Sequence, residues 1–151
     1  MSTMTVPPPI NVVTTDSDQR NMAALAHASI LLNMFLPGLG VIAAGAVWLT
    51  QRDRVGFAAR QALQATVYQA VLLVLPLVVA IVGAIVLAVV ILVGAATDNV
   101  MILGLIPLFM LGALAMIFVW LFGMIYALLA AYDAYQGRDF RYAIVGRMLD
   151  R

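Results

Sequence analysis

Three long stretches of this chain carry neither Asp nor Arg: residues 21–51, 61–97 and 99–132, which are 31, 37 and 34 residues long. No other feature limits the fold as strongly. A membrane helix needs about 20 apolar residues to cross roughly 30 Å of hydrocarbon, and each stretch exceeds that. None shows the two-residue alternation of a membrane β-strand. The chain is 65% hydrophobic and 10% charged, against about 45–50% and about 25% in soluble domains. The expectation is an all-α, polytopic helical integral membrane protein with three transmembrane helices.

The organisation follows from what flanks these stretches. Residues 1–20 are polar and include Pro7, Pro8 and Pro9, which favour an extended tail without internal hydrogen bonds. The first basic residue is Arg20, so the start lacks the basic region of a secretory signal. Residues 21–136 form the expected transmembrane domain. Residues 137–151 form a cytoplasmic surface segment, where Phe140, Ile144 and Met148 recur every four residues. That spacing predicts a short amphipathic helix lying on the membrane.

The first stretch is interrupted by Pro37-Gly38-Leu39-Gly40. The break leaves two pieces, each too short to span alone. A single kinked span is the first reading, and a re-entrant hairpin is the alternative. The Gly38, Gly40 and Ala43 spacing also matches a dinucleotide-binding G-x-G-x-x-A, but no βαβ unit surrounds it. A helix break or close helix packing accounts for it better.

Basic residues cluster where membrane topology would put them. Arg52, Arg54 and Arg60 lie between the first two stretches, and Arg138, Arg141, Arg147 and Arg151 follow the third. Arg concentrates in short cytoplasmic loops near the ends of spans. With three spans, both clusters fall on one side, which predicts a cytoplasmic C-terminus, an external N-terminus and a multi-pass bacterial inner-membrane protein. Contact of Arg52, Arg54, Arg60, Arg138, Arg141 and Arg147 with anionic lipid headgroups follows from that placement.

The same composition removes most chemistry. There is no cysteine and a single histidine, and the net charge is +1. Thiolate catalysis, disulfides and multi-histidine metal sites within the chain are excluded. Three Arg beside Asp53 do not make a nucleic-acid face. No nucleophile–base pair is readable in the apolar runs, so the chain is expected not to be an enzyme and to need no cofactor.

Some polar residues remain candidates. His27, Gln61, Gln64 and Tyr68 lie in or near lipid, where they either hydrogen-bond between helices or line a polar path. Asn33 and Gln69 belong to the same class. Ala80, Ala84 and Ala88 form one small-residue stripe, and Gly123, Ala127 and Ala131 form another. Small residues let helices approach closely in lipid, so both stripes are expected to seat a helix of this chain or of a partner.

Three short motifs carry a family resemblance. Ala23 to Ser29 contains Ala26-His27-Ala28-Ser29; Trp48 leads through Arg52, Asp53 and Phe57 to Ala59-Arg60-Gln61-Ala62-Leu63; and Gly137 to Ile144 reads GRDFRYAI. Together they resemble a family of small bacterial membrane proteins of unknown function, distantly similar to the Tic-twenty-type component of chloroplast inner-envelope import. The chain departs from it at Gln64-Ala65-Thr66 and at Ala143. The resemblance implies a helical membrane protein and no particular activity.

The functional expectation is therefore a non-catalytic accessory or scaffold subunit. It would contact membrane lipids and pack against larger membrane protein subunits, such as those of a respiratory or photosynthetic complex. The alternative is a pore, carrier or protein-translocation component, suggested by the broken PGLG segment. Homo-oligomerisation is compatible with both.

Overall fold

The computed structural model describes residues 16–54, 56–97, 104–143 and 145–146, and these are helical except for short turns and one irregular segment. Helix α1 runs Ser17–Ala28 and passes into a 3-10 turn, Ser29–Met34. Helix α2 is Leu39–Gln51, followed by a 3-10 turn, Arg52–Arg54. Helices α3 (Phe57–Thr97) and α4 (Ile106–Tyr135) are much longer. At 1.5 Å per residue they extend about 62 Å and about 45 Å.

The break at PGLG reverses the chain. Gly38 adopts a left-handed φ of 95°, a conformation that costs residues with a Cβ. The side chain of Asn33 then reaches across the turn, where its Oδ1 accepts hydrogen bonds from the Gly38 and Gly40 amides at 3.1 and 2.8 Å. Those amides begin α2 and would otherwise be orphaned.

Contacts along the two helices fix their relative direction. Gln19 donates to Gln51 at 3.5 Å, Ala26 packs with Ala44, and Ser29 Oγ donates to the Gly40 carbonyl at 3.0 Å. As one residue number rises the other falls, so α1 and α2 form an antiparallel hairpin. The kinked single span expected from the sequence is not formed, and the start of α1 lies at the same end as the start of α3. The opposite-side N-terminus expected with three spans depended on that kinked span.

The hairpin seats on α3 through alanine. Ala26, Ala44, Ala62 and Ala65 make a fully buried cluster, edged by Val47 and Trp48. Gly40 makes the approach closer still, because a Cβ there would lie 2.5 Å from Gln69 Oε1 and 2.7 Å from the Ser29 carbonyl oxygen. Dispersion contacts between closely spaced backbones supply the packing that large side chains supply elsewhere.

Helix α4 ends in a glycine cap. Gly137 has φ 77°, its amide donates to Ala134 O, and the Arg138 amide reaches back to Asp133 O, both at 2.9 Å. This pairing of a left-handed glycine with two backward bonds is a Schellman motif. The next residues, 138–142, are not helical. In place of the first part of the surface helix expected there, residues 138–142 form an irregular strap that turns into the bundle, and residues 145 and 146 are helical. Tyr142 is 2% exposed and Val145 is 5% exposed. Phe140 and Tyr142 flank Arg141, and both pack into the protein, so the four-residue spacing does not describe the strap. Ile144, Arg147 and Met148 lie outside the described residues, as does the proline tail.

Gly94 apart, burial on the long helices is confined to one end. On α3 the other buried residues lie between Ala58 and Gln69, and on α4 they begin at Gly123. Beyond these, both helices present large apolar side chains outward. Only α3 and α4 among the described helices are long and apolar enough to cross a membrane.

Candidate functional site

The polar residues expected within the membrane converge where the strap crosses α1 and α3. His27 is completely buried. Its Nδ1 lies 3.0 Å from the Tyr142 hydroxyl, and its Nε2 lies 3.0 Å from Gln61 Oε1. Gln61 Nε2 donates to Asp139 Oδ1 at 2.8 Å and to the Phe140 carbonyl at 3.0 Å. An amide oxygen only accepts, so Nε2 must carry the imidazole proton and Nδ1 must accept from Tyr142. One neutral tautomer satisfies the whole chain of bonds.

Electrostatics agrees with that assignment. His27 lies on α1, outside the two long apolar helices, and burial lowers its pKa to about 4, against the opposing effect of its hydrogen bond to Gln61. Burial likewise pushes the Tyr142 hydroxyl far up, reinforced by Tyr68 and Tyr126. Both groups are held neutral and are poor proton carriers near pH 7. The arrangement works as a bolt.

Aromatic rings close the bolt from the α4 side. Tyr68 and Tyr142 stack with centroids 3.9 Å apart and planes within 7°. Tyr126 and Phe140 meet Tyr142 edge-on at 5.5 and 5.1 Å. The Tyr68 hydroxyl donates to the Gly123 carbonyl at 3.0 Å, using an oxygen already within a helix. A second buried amide, Gln69, donates to the Ala26 carbonyl and to Ser29 Oγ at 3.1 and 3.2 Å, tying the hairpin to α3.

The outer edge of this site is charged. Asp139 receives Arg60 at 3.3 Å and Arg141 at 3.2 Å, while Arg138 pairs with Asp133 and lies over the Tyr132 ring at 5.8 Å. Among the described residues, no three metal-ligating side chains gather.

A family model described as the magnetosome magnetite crystal formation protein family matches residues 18–149. The chain belongs to that family. The matched range takes in the hairpin, both long helices and the strap. No curated protein and no solved structure matches, and the family assignment brings no support for a Tic-twenty-type likeness. With its two long apolar helices, this member of the magnetite crystal formation family is an all-helical membrane protein.

The remaining sequence candidates are dispersed in this family member. Arg52 and Arg54 lie on the exposed turn between α2 and α3, where Arg52 is 3.7 Å from Asp53. Arg147 lies outside the described residues. Ala80, Ala84 and Ala88 are exposed on α3 and touch no other described helix closely enough to be buried. Gly123, Ala127 and Ala131 are buried against the bundle, with Gly123 facing Leu72 and Tyr68. Gln64 is 2% exposed, and its Oε1 has no hydrogen-bond partner among the described residues.

Sequence reasoning missed Tyr142 and Asp139. Tyr142 sits 115 residues from His27, beyond any helical periodicity. Its one available signal was an aromatic pair, Phe140 and Tyr142, at alternate positions of a segment read as helix.

Proposed function

We propose that this protein is a non-catalytic, multi-pass scaffold in the membrane where its family acts in magnetite crystal formation, packing against other membrane subunits. The observation that carries this reading is the exposed Ala80, Ala84 and Ala88 stripe on a spanning helix whose own bundle leaves it uncovered. Small residues on a lipid-facing helix let a second helix approach closely. The buried polar groups serve internal bonding, which supports a structural role over turnover. Respiratory or photosynthetic partners find no support in the family assignment, and a magnetosome-membrane assembly takes their place.

Topology belongs to the same proposal. The six described Arg residues, Arg20 to Arg141, gather at the end that holds the strap and the open end of the hairpin. The positive-inside rule puts that end in the cytoplasm, with α3 and α4 crossing and the hairpin entering from the cytoplasmic side of a bacterial inner membrane or a vesicle derived from it.

A pore or carrier draws less support. Gln61 and Tyr68, the residues that would line its path, are bonded to His27, Asp139, Phe140 and Gly123.

Purification from the native membrane in nanodiscs, with mass spectrometry of attached proteins, tests the scaffold. Stoichiometric partners lost on Ala84→Leu support it. A chain recovered alone, with unaltered behaviour in the variant, overturns it.

A further inference from the structure

The bundle is thick at one end and thin at the other. The hairpin turn is level with Leu73, whose Cδ2 would lie 3.7 Å from a Cβ on Gly38. The charge-free part of α3 starts at Gln61 and ends at Thr97. Leu73 is 12 residues from the first and 24 from the second, or about 18 Å and about 36 Å along the helix. Four helices therefore share the third of this length nearest the Arg residues, and among the described residues only α3 and α4 continue.

The outer surface of the hairpin suits acyl chains rather than water. Met34, Phe35 and Leu36 at its tip are 62%, 84% and 58% exposed, and Ile42 and Leu49 on α2 are 68% and 53% exposed. This surface is continuous with the apolar faces of α3. Polar and basic residues, Gln19, Arg20, Gln51 and Arg52, close its open end at headgroup level, where anionic lipid is attracted to Arg.

From this asymmetry we infer that the protein prefers the convex leaflet of a strongly curved membrane, with its Arg-bearing end outward. The inference rests on reading α3 and α4 as spans and the hairpin as inserted from the Arg side. Each copy adds two helix cross-sections, on the order of 150 Å², to one leaflet and not to the other. A flat bilayer must compress the lipids of that leaflet. A convex leaflet has area to spare, which is why shallow amphipathic insertions are curvature-sensitive. The surface it fits is the outer face of a small vesicle carrying anionic phospholipid.

Reconstitution into small sonicated and large extruded vesicles of the same phosphatidylcholine–phosphatidylglycerol mixture tests this. The expected result is a several-fold higher protein-to-lipid ratio in the small vesicles, with Arg52 and Arg54 cleaved by external trypsin. Equal ratios overturn the inference, as does an inward-facing Arg end in the small vesicles. The variant Phe35→Asp with Leu36→Asp changes only exposed tip side chains, so α3 and α4 still insert and resist alkaline extraction. Its size preference should vanish; a preference kept in full would show that the hairpin is not the wedge. Partner binding can fail independently, because Ala84 lies beyond the hairpin tip.

Discussion

The hydroxyl of Tyr142 donates to Nδ1 of His27 at 3.0 Å, joining the strap after α4 to the first helix. Removing that hydroxyl leaves a buried acceptor unpaired, which costs about 1–3 kcal/mol. Tyr142→Phe should keep the stacked ring on Tyr68 and lower thermal stability by that amount. It should also speed trypsin cleavage at Arg141, because the strap loses one of its bonds. A melt and a digestion time course in detergent check both; unchanged cleavage would mean the rings alone hold the strap.

His27 also sets a pH dependence. Its folded-state pKa, lowered to about 4 by burial, lies below the ordinary histidine value of 6.5. The unfolded chain therefore takes up a proton first as pH falls. Stability should be level above pH 6.5, decline between there and pH 4, and flatten below, losing about 3 kcal/mol in all. His27→Gln should remove that slope. Melting temperature against pH for both proteins is the measurement, and parallel curves would exclude His27 as the titrating group.

Two glycines should respond oppositely to the same change. Gly40→Ala places a Cβ 2.5 Å from Gln69 Oε1 and 2.7 Å from the Ser29 carbonyl, and overpacking of this kind costs about 1–3 kcal/mol. Gly83→Ala meets nothing within 4 Å among the described residues and should be neutral or stabilising by up to about 1 kcal/mol through helix propensity. Equal effects in denaturation assays would contradict the close seating of the hairpin.

The two alanine stripes separate in the same way. Ala127 is fully buried, so Ala127→Leu should destabilise by about 1–3 kcal/mol. Ala84 is exposed, and Ala84→Leu should leave monomer stability within about 0.5 kcal/mol while weakening any assembly on that face. Melts and native-size measurement on both variants distinguish an internal seat from an external one.

Topology can be read by labelling, since the natural chain has no cysteine. Single cysteines at Ser17, Asp53 and Gln136 should all react with a membrane-impermeant maleimide from one side. Reaction of Ser17→Cys from the opposite side would restore the single kinked span.

The two long apolar helices were legible because length and hydropathy act locally. The PGLG break was legible too, but its direction was not. A proline–glycine pair interrupts a helix whether the chain bends or reverses; the choice depends on Gly40 meeting Ser29 and on Gln19 meeting Gln51. His27 and Gln61 were visible as polar residues among apolar ones. What joins them was hidden, because Tyr142 comes from a segment whose apolar spacing resembled a helix.

Ala26, Ala44, Ala62 and Ala65 have a further consequence for how this protein can change. An alanine has no rotamers to lose, so ordering that cluster costs no side-chain conformational entropy. It also has almost nothing left to trim. Cores built of leucine tolerate drift toward smaller or reshaped side chains, whereas here nearly every substitution adds volume between backbones already in contact. The hairpin joint is thus easy to assemble and hard to vary, and sequence divergence among its descendants should accumulate on the lipid-facing sides of α3 and α4 instead.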